Sequence, residues 1–159
     1  MGIEALTDDK IKDLLLVRKR VTNPNVRNKI KGKHIERDYK VVGEGIGDMS
    51  FSIFVRQNNM IEDDFSAGLI WNMPSGETLT LCRYNGSSHE HRNPLEETRL
   101  NRTCHIHTAT QRYILKNKKA ECFAEETNRY QTVEGALHCL LLDCNVSGIQ
   151  STQDEPRFL

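Results

Sequence analysis

Alternating apolar and polar residues in the middle of the chain constrain its fold most strongly. Phe51, Ile53 and Val55 recur at every second position, although Phe54 interrupts the polar positions between them. A period of two gives a β-strand one buried face and one polar face. The middle of the chain is therefore predicted to form a sheet that is buried on one side.

Several further segments fit a sheet. The predicted strands lie at 39–42, 50–56, 66–73, 78–82, 103–107 and 120–124. The segment 73–77, Met-Pro-Ser-Gly-Glu, combines proline and glycine and predicts a tight hairpin between two of these strands. The pattern as a whole predicts an antiparallel sheet of five or six strands.

One helix is predicted before the strands in the chain and another after them. Thr7, followed by two aspartates, favours a helix start, and that helix is expected to end near Arg20. Thr132 is expected to cap a second helix with one apolar stripe. The stripe consists of Val133, Ala136, Leu137, Leu140, Leu141 and Cys144. The predicted class is α+β, with the N-terminal and C-terminal helices flanking one face of the sheet.

Length and composition indicate one small domain. The chain has 159 residues, which suits a single core. Residues 1–146 are predicted to form one α+β domain, and residues 147–159 a polar, disordered C-terminal tail. No apolar run approaches the roughly 18–20 residues of a membrane span, and no secretory signal is recognised. Five cysteines without CxxC spacing favour reduced thiols, so we expect a cytoplasmic protein without membrane contact.

Charge is balanced overall but unevenly distributed. The chain has 22 basic and 22 acidic residues, whereas the segment 18–40 has nine Lys or Arg against two acids. Within it, Arg27, Lys29, Lys31 and Lys33 are candidate contacts for nucleic-acid phosphates. The alternative is a solvated, lysine-rich loop.

Histidines are concentrated in two short motifs. His89 and His91 form HEH, and His105 and His107 form HIH. Residues i and i+2 of a strand share a face, so His105 and His107 are expected to point together, with Cys104 and Ile106 towards the core. All four histidines are alternative metal ligands, and exposed structural histidines are a further alternative.

Catalysis without a metal is another interpretation of the same region. His105 and His107 would serve as general base and general acid in RNA cleavage. Arg83, Arg112 and Tyr113 are the additional candidate catalytic residues, since cationic side chains can stabilise a charged phosphorane. No cofactor-binding motif is recognised, and we expect no cofactor.

Four motifs and the C-terminal helix, taken in order, resemble a known family. The motifs are LTDDKIKDLL, SIFVRQNNMIEDDFSAGLIW, LTLCRYNGSSHEHRNPLE and HIHTATQRYI, and together they span about residues 5–146. They are similar to a family of small, cytosolic bacterial proteins classed as a domain of unknown function. This resemblance implies a cytoplasmic bacterial protein and carries no activity.

A second resemblance involves the end of one predicted strand. Arg83, Tyr84 and Asn85 lead into histidine-rich strands and a last helix, which resembles TumE-type toxins of bacterial toxin–antitoxin pairs. Gly86 replaces the second turn residue of those toxins, and HEH and HIH replace their clustered HH-x-H. The resemblance implies action on RNA and a neutralising partner protein.

Three functional hypotheses follow from the sequence. The first is a toxin-like protein of a bacterium or phage that acts on RNA through the His/Arg/Tyr residues and binds an antitoxin-like partner. The second is a non-catalytic binding or regulatory module, such as a factor in phage defence or counter-defence. The third is a metal-binding domain that uses HEH and HIH.

Overall fold

The polypeptide adopts an α+β fold in which a mostly antiparallel sheet is combined with three helices. The computed structural model describes residues 2–45 and 49–149. After a 3-10 turn at Ile3–Ala5, the helices are α1 (Asp8–Leu16), α2 (Gln111–Leu115) and α3 (Val133–Asp143). Helix α1 ends before the predicted Arg20 because the first strand begins at Lys19.

The strands of the described residues are β1 (Lys19–Val21), β2 (Lys29–Lys31), β3 (His34–Gly43), β4 (Met49–Asn58), β5 (Phe65–Asn72), β6 (Thr78–Asn85), β7 (His91–Asn93), β8 (Thr98–Leu100), β9 (His105–Thr108), β10 (Ala124–Glu126) and β11 (Val146–Ser147). Nine of them form one sheet, in the order β10-β9-β6-β5-β4-β3-β1-β11, with β2 also paired to β3. A second sheet consists of β7 and β8. All pairs are antiparallel except β1 and β11.

The prediction of five or six strands is therefore wrong. The strands that it missed, β1, β2, β7, β8 and β11, are two or three residues long. A segment of that length is too short to show a period of two. These strands form through backbone pairing with their neighbours, which local sequence does not encode.

The core lies between one face of the sheet and α3, which contacts β4, β5 and β6. As predicted, Thr132 caps α3, and its hydroxyl accepts a hydrogen bond from Gly135 N at 3.0 Å. Leu137 and Leu140 of the apolar stripe are buried among the apolar residues of the sheet. The apolar stripe of α3 and the apolar face of the sheet, both predicted from the spacing of apolar residues, are thus buried against each other.

The turn between β5 and β6 has the predicted hairpin geometry. Met73 N donates to Glu77 O, and Gly76 N donates to Met73 O, each at 2.9 Å. Gly76 has φ +93°, a conformation that glycine adopts without the strain of a Cβ atom.

A buried lysine joins three elements of the core. Lys19 is 0 % exposed, and its Nζ donates to Leu15 O at 2.8 Å, Val17 O at 2.9 Å and Cys144 O at 2.8 Å. These carbonyls lie at the C-terminal ends of α1 and α3, where positive charge is favoured by the helix dipoles. Burial lowers the pKa of Lys19 to about 8, so the ammonium is charged at neutral pH.

The ordered core extends slightly beyond the predicted domain end at residue 146. Strand β11 includes Ser147, and Ile149 packs against the core. Most of the predicted tail, residues 150–159, lies outside the described residues. Among the helices that are described, none is long and apolar enough to cross a membrane.

Replacing Leu140 with alanine should lower the free energy of unfolding by roughly 2–5 kcal/mol, because it removes buried apolar surface and leaves a cavity. Leu142→Ala is the matched control, since Leu142 lies in the same helix and is 66 % exposed. Urea denaturation of both variants measures the difference. Equal losses of stability would contradict the packing of α3 on the sheet.

Lys19→Met should destabilise the protein by roughly 2 kcal/mol or more, because one buried and two partly buried carbonyls would lose their donor. Lys12→Met is the control, since Lys12 is exposed in α1. Thermal and chemical unfolding of the two variants would be compared. A Lys19→Met variant as stable as the Lys12→Met variant would show that the ammonium does not hold the helix ends.

Candidate functional site

A row of polar side chains crosses the face of the sheet opposite the α3 side. Cross-strand partners project from the same face, and their register links seven residues from β2 to β10. The row is Lys29, Glu36, Arg56, Ser66, Asn85, His105 and Glu126. With strands about 4.8 Å apart, its six steps span about 29 Å.

A second row runs parallel to the first. It consists of Asp38, Phe54, Gly68, Arg83, His107 and Ala124. We call these two rows together the polar face. The polar face therefore brings the basic hairpin residue Lys29 and the HIH motif onto one side of the sheet.

Three histidines meet at the β9 end of the polar face. The ring centroids of His105 and His107 are 5.0 Å apart, and His91 from β7 lies 5.8 Å from His105 and 4.7 Å from His107. We call His91, His105 and His107 the histidine cluster. HEH and HIH thus contribute one and two members.

The histidine cluster is covered by the hairpin of β7 and β8. His105 and His107 are each 3 % exposed. Asn93 of β7 attaches this hairpin to β10, since its Nδ2 donates to Ala124 O and its Oδ1 accepts from Ala124 N, both at 2.9 Å. The sequence interpretation in which the HIH histidines lie exposed on a sheet edge does not describe these side chains.

Hydrogen bonds define which ring nitrogen carries the proton in the two histidines of HIH. Nδ1 of His105 lies 2.8 Å from Thr103 O, and Nδ1 of His107 lies 2.9 Å from Glu121 O. A carbonyl oxygen can only accept, so each Nδ1 carries the proton and each Nε2 is an acceptor.

Both buried imidazoles are neutral at neutral pH. Burial lowers the pKa of His107 to about 3, and the positive charge of Arg83 adds to this shift. Burial also lowers the pKa of His105. A general acid must be protonated near the working pH, so neither imidazole is suited to donate a proton at pH 7 while it remains covered.

Arg83 and Asn85 lie where the polar face meets the cluster. Arg83 is the cross-strand partner of His107, and Asn85 that of His105. Arg83 Nη1 is 3.8 Å from Glu121 Oε2, while Arg83 Nε and Asn85 Oδ1 are buried without a hydrogen-bond partner among the described residues. Both atoms are enclosed by the protein and are exceptions to the usual pairing of buried polar groups.

Arg112 and Tyr113 form a separate group. The Tyr113 hydroxyl donates to Glu96 Oε1 at 2.5 Å, and Arg112 Nη1 donates to Glu96 Oε2 at 3.1 Å. Glu96 lies in the turn between β7 and β8. These two predicted catalytic residues bind Glu96 and so anchor the turn of the covering hairpin. Arg83, in contrast, is the cross-strand neighbour of His107 in the histidine cluster.

The metal alternative included a fourth histidine. His89 is exposed, and its Nε2 lies 3.9 Å from Asp64 Oδ1. The described part of the chain contains no group of three or more His, Cys, Asp or Glu side chains arranged to hold a metal ion. Three of the four predicted ligands thus meet, but not as a recognised metal site.

The basic segment forms a hairpin between β2 and β3. Arg27, Lys29, Lys31 and Lys33 are all exposed, and Ile30 between the lysines is 76 % exposed. None of the four cations forms an ion pair with a described acidic residue. The predicted exposure is confirmed, although part of the segment is a strand rather than a loop.

Two residues of the site were missed from the sequence. Asn93 bonds β10, and Glu121 provides the carbonyl that fixes His107 and the carboxylate beside Arg83. Asn93 stands two positions after His91, so strand spacing could have placed it on the same face. Glu121 makes its contacts from a distant loop, and no local pattern marks it.

No known family model, curated protein or solved structure matches this chain. The resemblances to a domain of unknown function and to TumE-type toxins stay predictions. The functional assignment therefore rests on the hairpin and the polar face.

Acid should destabilise the fold through the histidine cluster. The folded-state pKa of His107 lies below the unfolded value of 6.5, so the unfolded chain binds more protons as pH falls below about 6.5. The contribution of neutral His107 to the free energy of unfolding is fully present above pH 6.5. Between pH 7 and pH 4 we expect the protein to lose about 3 kcal/mol of this contribution.

Urea denaturation at a series of pH values measures this loss. His107→Gln should flatten the dependence below pH 6.5, and His89→Gln, at an exposed site, should leave it unchanged. The same acid slope in wild type and His107→Gln would show that His107 is not held neutral by burial.

Proposed function

We propose that this protein is a non-catalytic RNA-binding module whose β2–β3 hairpin contacts the phosphate backbone. The observation that carries the proposal is a set of four exposed cations, on this hairpin and just before it, that form no ion pair with a described acidic residue: Arg27, Lys29, Lys31 and Lys33. Phosphates bind such side chains with release of counterions.

Neighbouring basic residues support this assignment by contrast. Arg20 lies 3.8 Å from Glu44, and Arg37 lies 2.7 Å from Glu134. These two arginines of the basic segment form ion pairs within the protein, whereas the hairpin lysines, like Arg18 and Lys40, form none with a described acidic residue. On a chain with zero net charge, this arrangement favours one localised contact over general attraction to polyanions.

RNA cleavage by a toxin-like protein is the second candidate, and the convergence of three imidazoles beside Arg83 favours it. Cleavage would require the β7–β8 hairpin to open, because His105 and His107 are covered and neutral. An antitoxin-like partner protein belongs to this candidate.

Fluorescence anisotropy of a labelled single-stranded RNA at increasing salt tests the first proposal. Affinity should fall linearly on a log–log scale, with a slope near −0.7 for each phosphate contacted. The triple variant K29Q/K31Q/K33Q should reduce the magnitude of this slope by about 2. A control variant of equal charge change, K12Q/K116Q/K118Q, alters exposed lysines elsewhere and should preserve it.

Absence of binding at low salt, or equal effects of the two triple variants, would contradict the proposal. The same RNA should remain intact on a denaturing gel after incubation. Cleavage products that disappear in a His105→Ala, His107→Ala double variant would instead assign the second candidate.

A further inference from the structure

We infer that single-stranded RNA crosses the polar face from Lys29 towards Asn85, with one base stacked on Phe54. This inference rests on the proposed RNA binding and names the form of RNA and the residue that holds a base. It follows from where the register places an aromatic ring, half-buried polar side chains and the basic hairpin.

Phe54 is an aromatic residue on the polar side of the sheet. Its apolar neighbours in β4, Phe51, Ile53 and Val55, are buried on the other side, whereas Phe54 is half-buried. Its cross-strand partner is Gly68, and a Cβ atom at residue 68 would collide with Phe54 Cε2 and Cζ. The ring therefore lies over the glycine backbone, as a partly exposed platform on the sheet.

Such a platform suits an unpaired base. Aromatic side chains on open sheets stack with bases whose faces are free, and this contact tolerates many sequences. In a duplex both base faces are covered by neighbouring base pairs. Stacking on Phe54 therefore selects single strands.

Cations lie on both sides of this platform. Arg56 follows two positions along β4, and its guanidinium lies 3.4 Å from Glu36, the acidic residue between it and Lys29. On the other side, Arg83 is paired with Gly68. Asp38 is the second acid near the ring, and Arg83 already forms an ion pair with Glu121, so phosphate contacts are expected mainly at the hairpin.

Neutral polar groups complete the path. Ser66 and Asn85 are adjacent in the first row, and both residues are half-buried. A 2′-hydroxyl is both donor and acceptor, so it can bond the Ser66 hydroxyl. This favours RNA over DNA of the same sequence.

The length of the path is limited by the sheet. Four strand spacings separate Lys29 from Asn85, which is about 19 Å. Beyond Asn85, His105 is covered by the β7–β8 hairpin. The path thus fits a few nucleotides and ends at the histidine cluster.

Anisotropy with a uridine-rich single strand, its DNA equivalent and a blunt RNA duplex tests the inference. Phe54→Leu should weaken binding of single-stranded RNA by roughly 5- to 150-fold, with an unchanged salt slope. Phe54→Tyr is the matched control that keeps a ring and should bind as wild type. The duplex should bind more weakly than the single strand and should not respond to Phe54→Leu.

A fluorescent variant provides a second measurement that does not depend on the leucine variant folding. In Phe54→Trp, the added indole should be quenched by single-stranded RNA and not by the duplex. Wild type, in which Trp71 is buried, serves as the baseline.

The two proposals fail in different ways. If wild type binds no RNA at low salt, the proposed function fails. If wild type binds and K29Q/K31Q/K33Q lowers the salt slope, while Phe54→Leu binds as wild type or the duplex binds equally well, only the stacking inference is overturned.

Discussion

One-sided burial of the antiparallel sheet sets the position of nearly every residue discussed above. Ile53 pairs with Leu69, and Phe51 pairs with Trp71, all with their side chains in the core. A slip of one residue would turn these side chains to solvent. The hydrophobic effect therefore fixes the register, and the register in turn places Lys29, Phe54 and His105 on the opposite face. The polar face is a consequence of the core rather than an independent feature.

Regular period explains which parts of the fold could be predicted. Strands β4 and β5, with ten and eight residues, and the stripe of α3 display their period in the sequence. The burial of Lys19 has no such sequence signal, because it depends on two helix ends that meet around the side chain. An isolated lysine after a helix resembles a surface residue, and only the tertiary arrangement of carbonyls makes burial of its charge favourable.

The histidine cluster shows the same division between local and tertiary information. Spacing of i and i+2 places His105 and His107 on one side of β9, yet it says nothing of the hairpin that covers them. That cover depends on Asn93 bonding the backbone of Ala124. Burial then lowers the pKa of both imidazoles. They are therefore neutral at a pH where an exposed histidine would be partly protonated. The cluster fits a rigid, neutral end to the polar face better than a pair of proton donors.

Rigidity also connects the hairpin with Phe54. Strand β3 pairs with β2 at the hairpin and with β4 along ten residues, so the lysines and the aromatic ring belong to one continuous sheet. A ligand that contacts both meets groups already held at fixed spacing, and little ordering entropy is lost on binding. Electrostatic attraction from the hairpin carries no base information, while stacking requires an unpaired base. In the proposed complex, the connection through β3 and β4 would add base stacking to a weak charge contact and so distinguish single strands from duplexes.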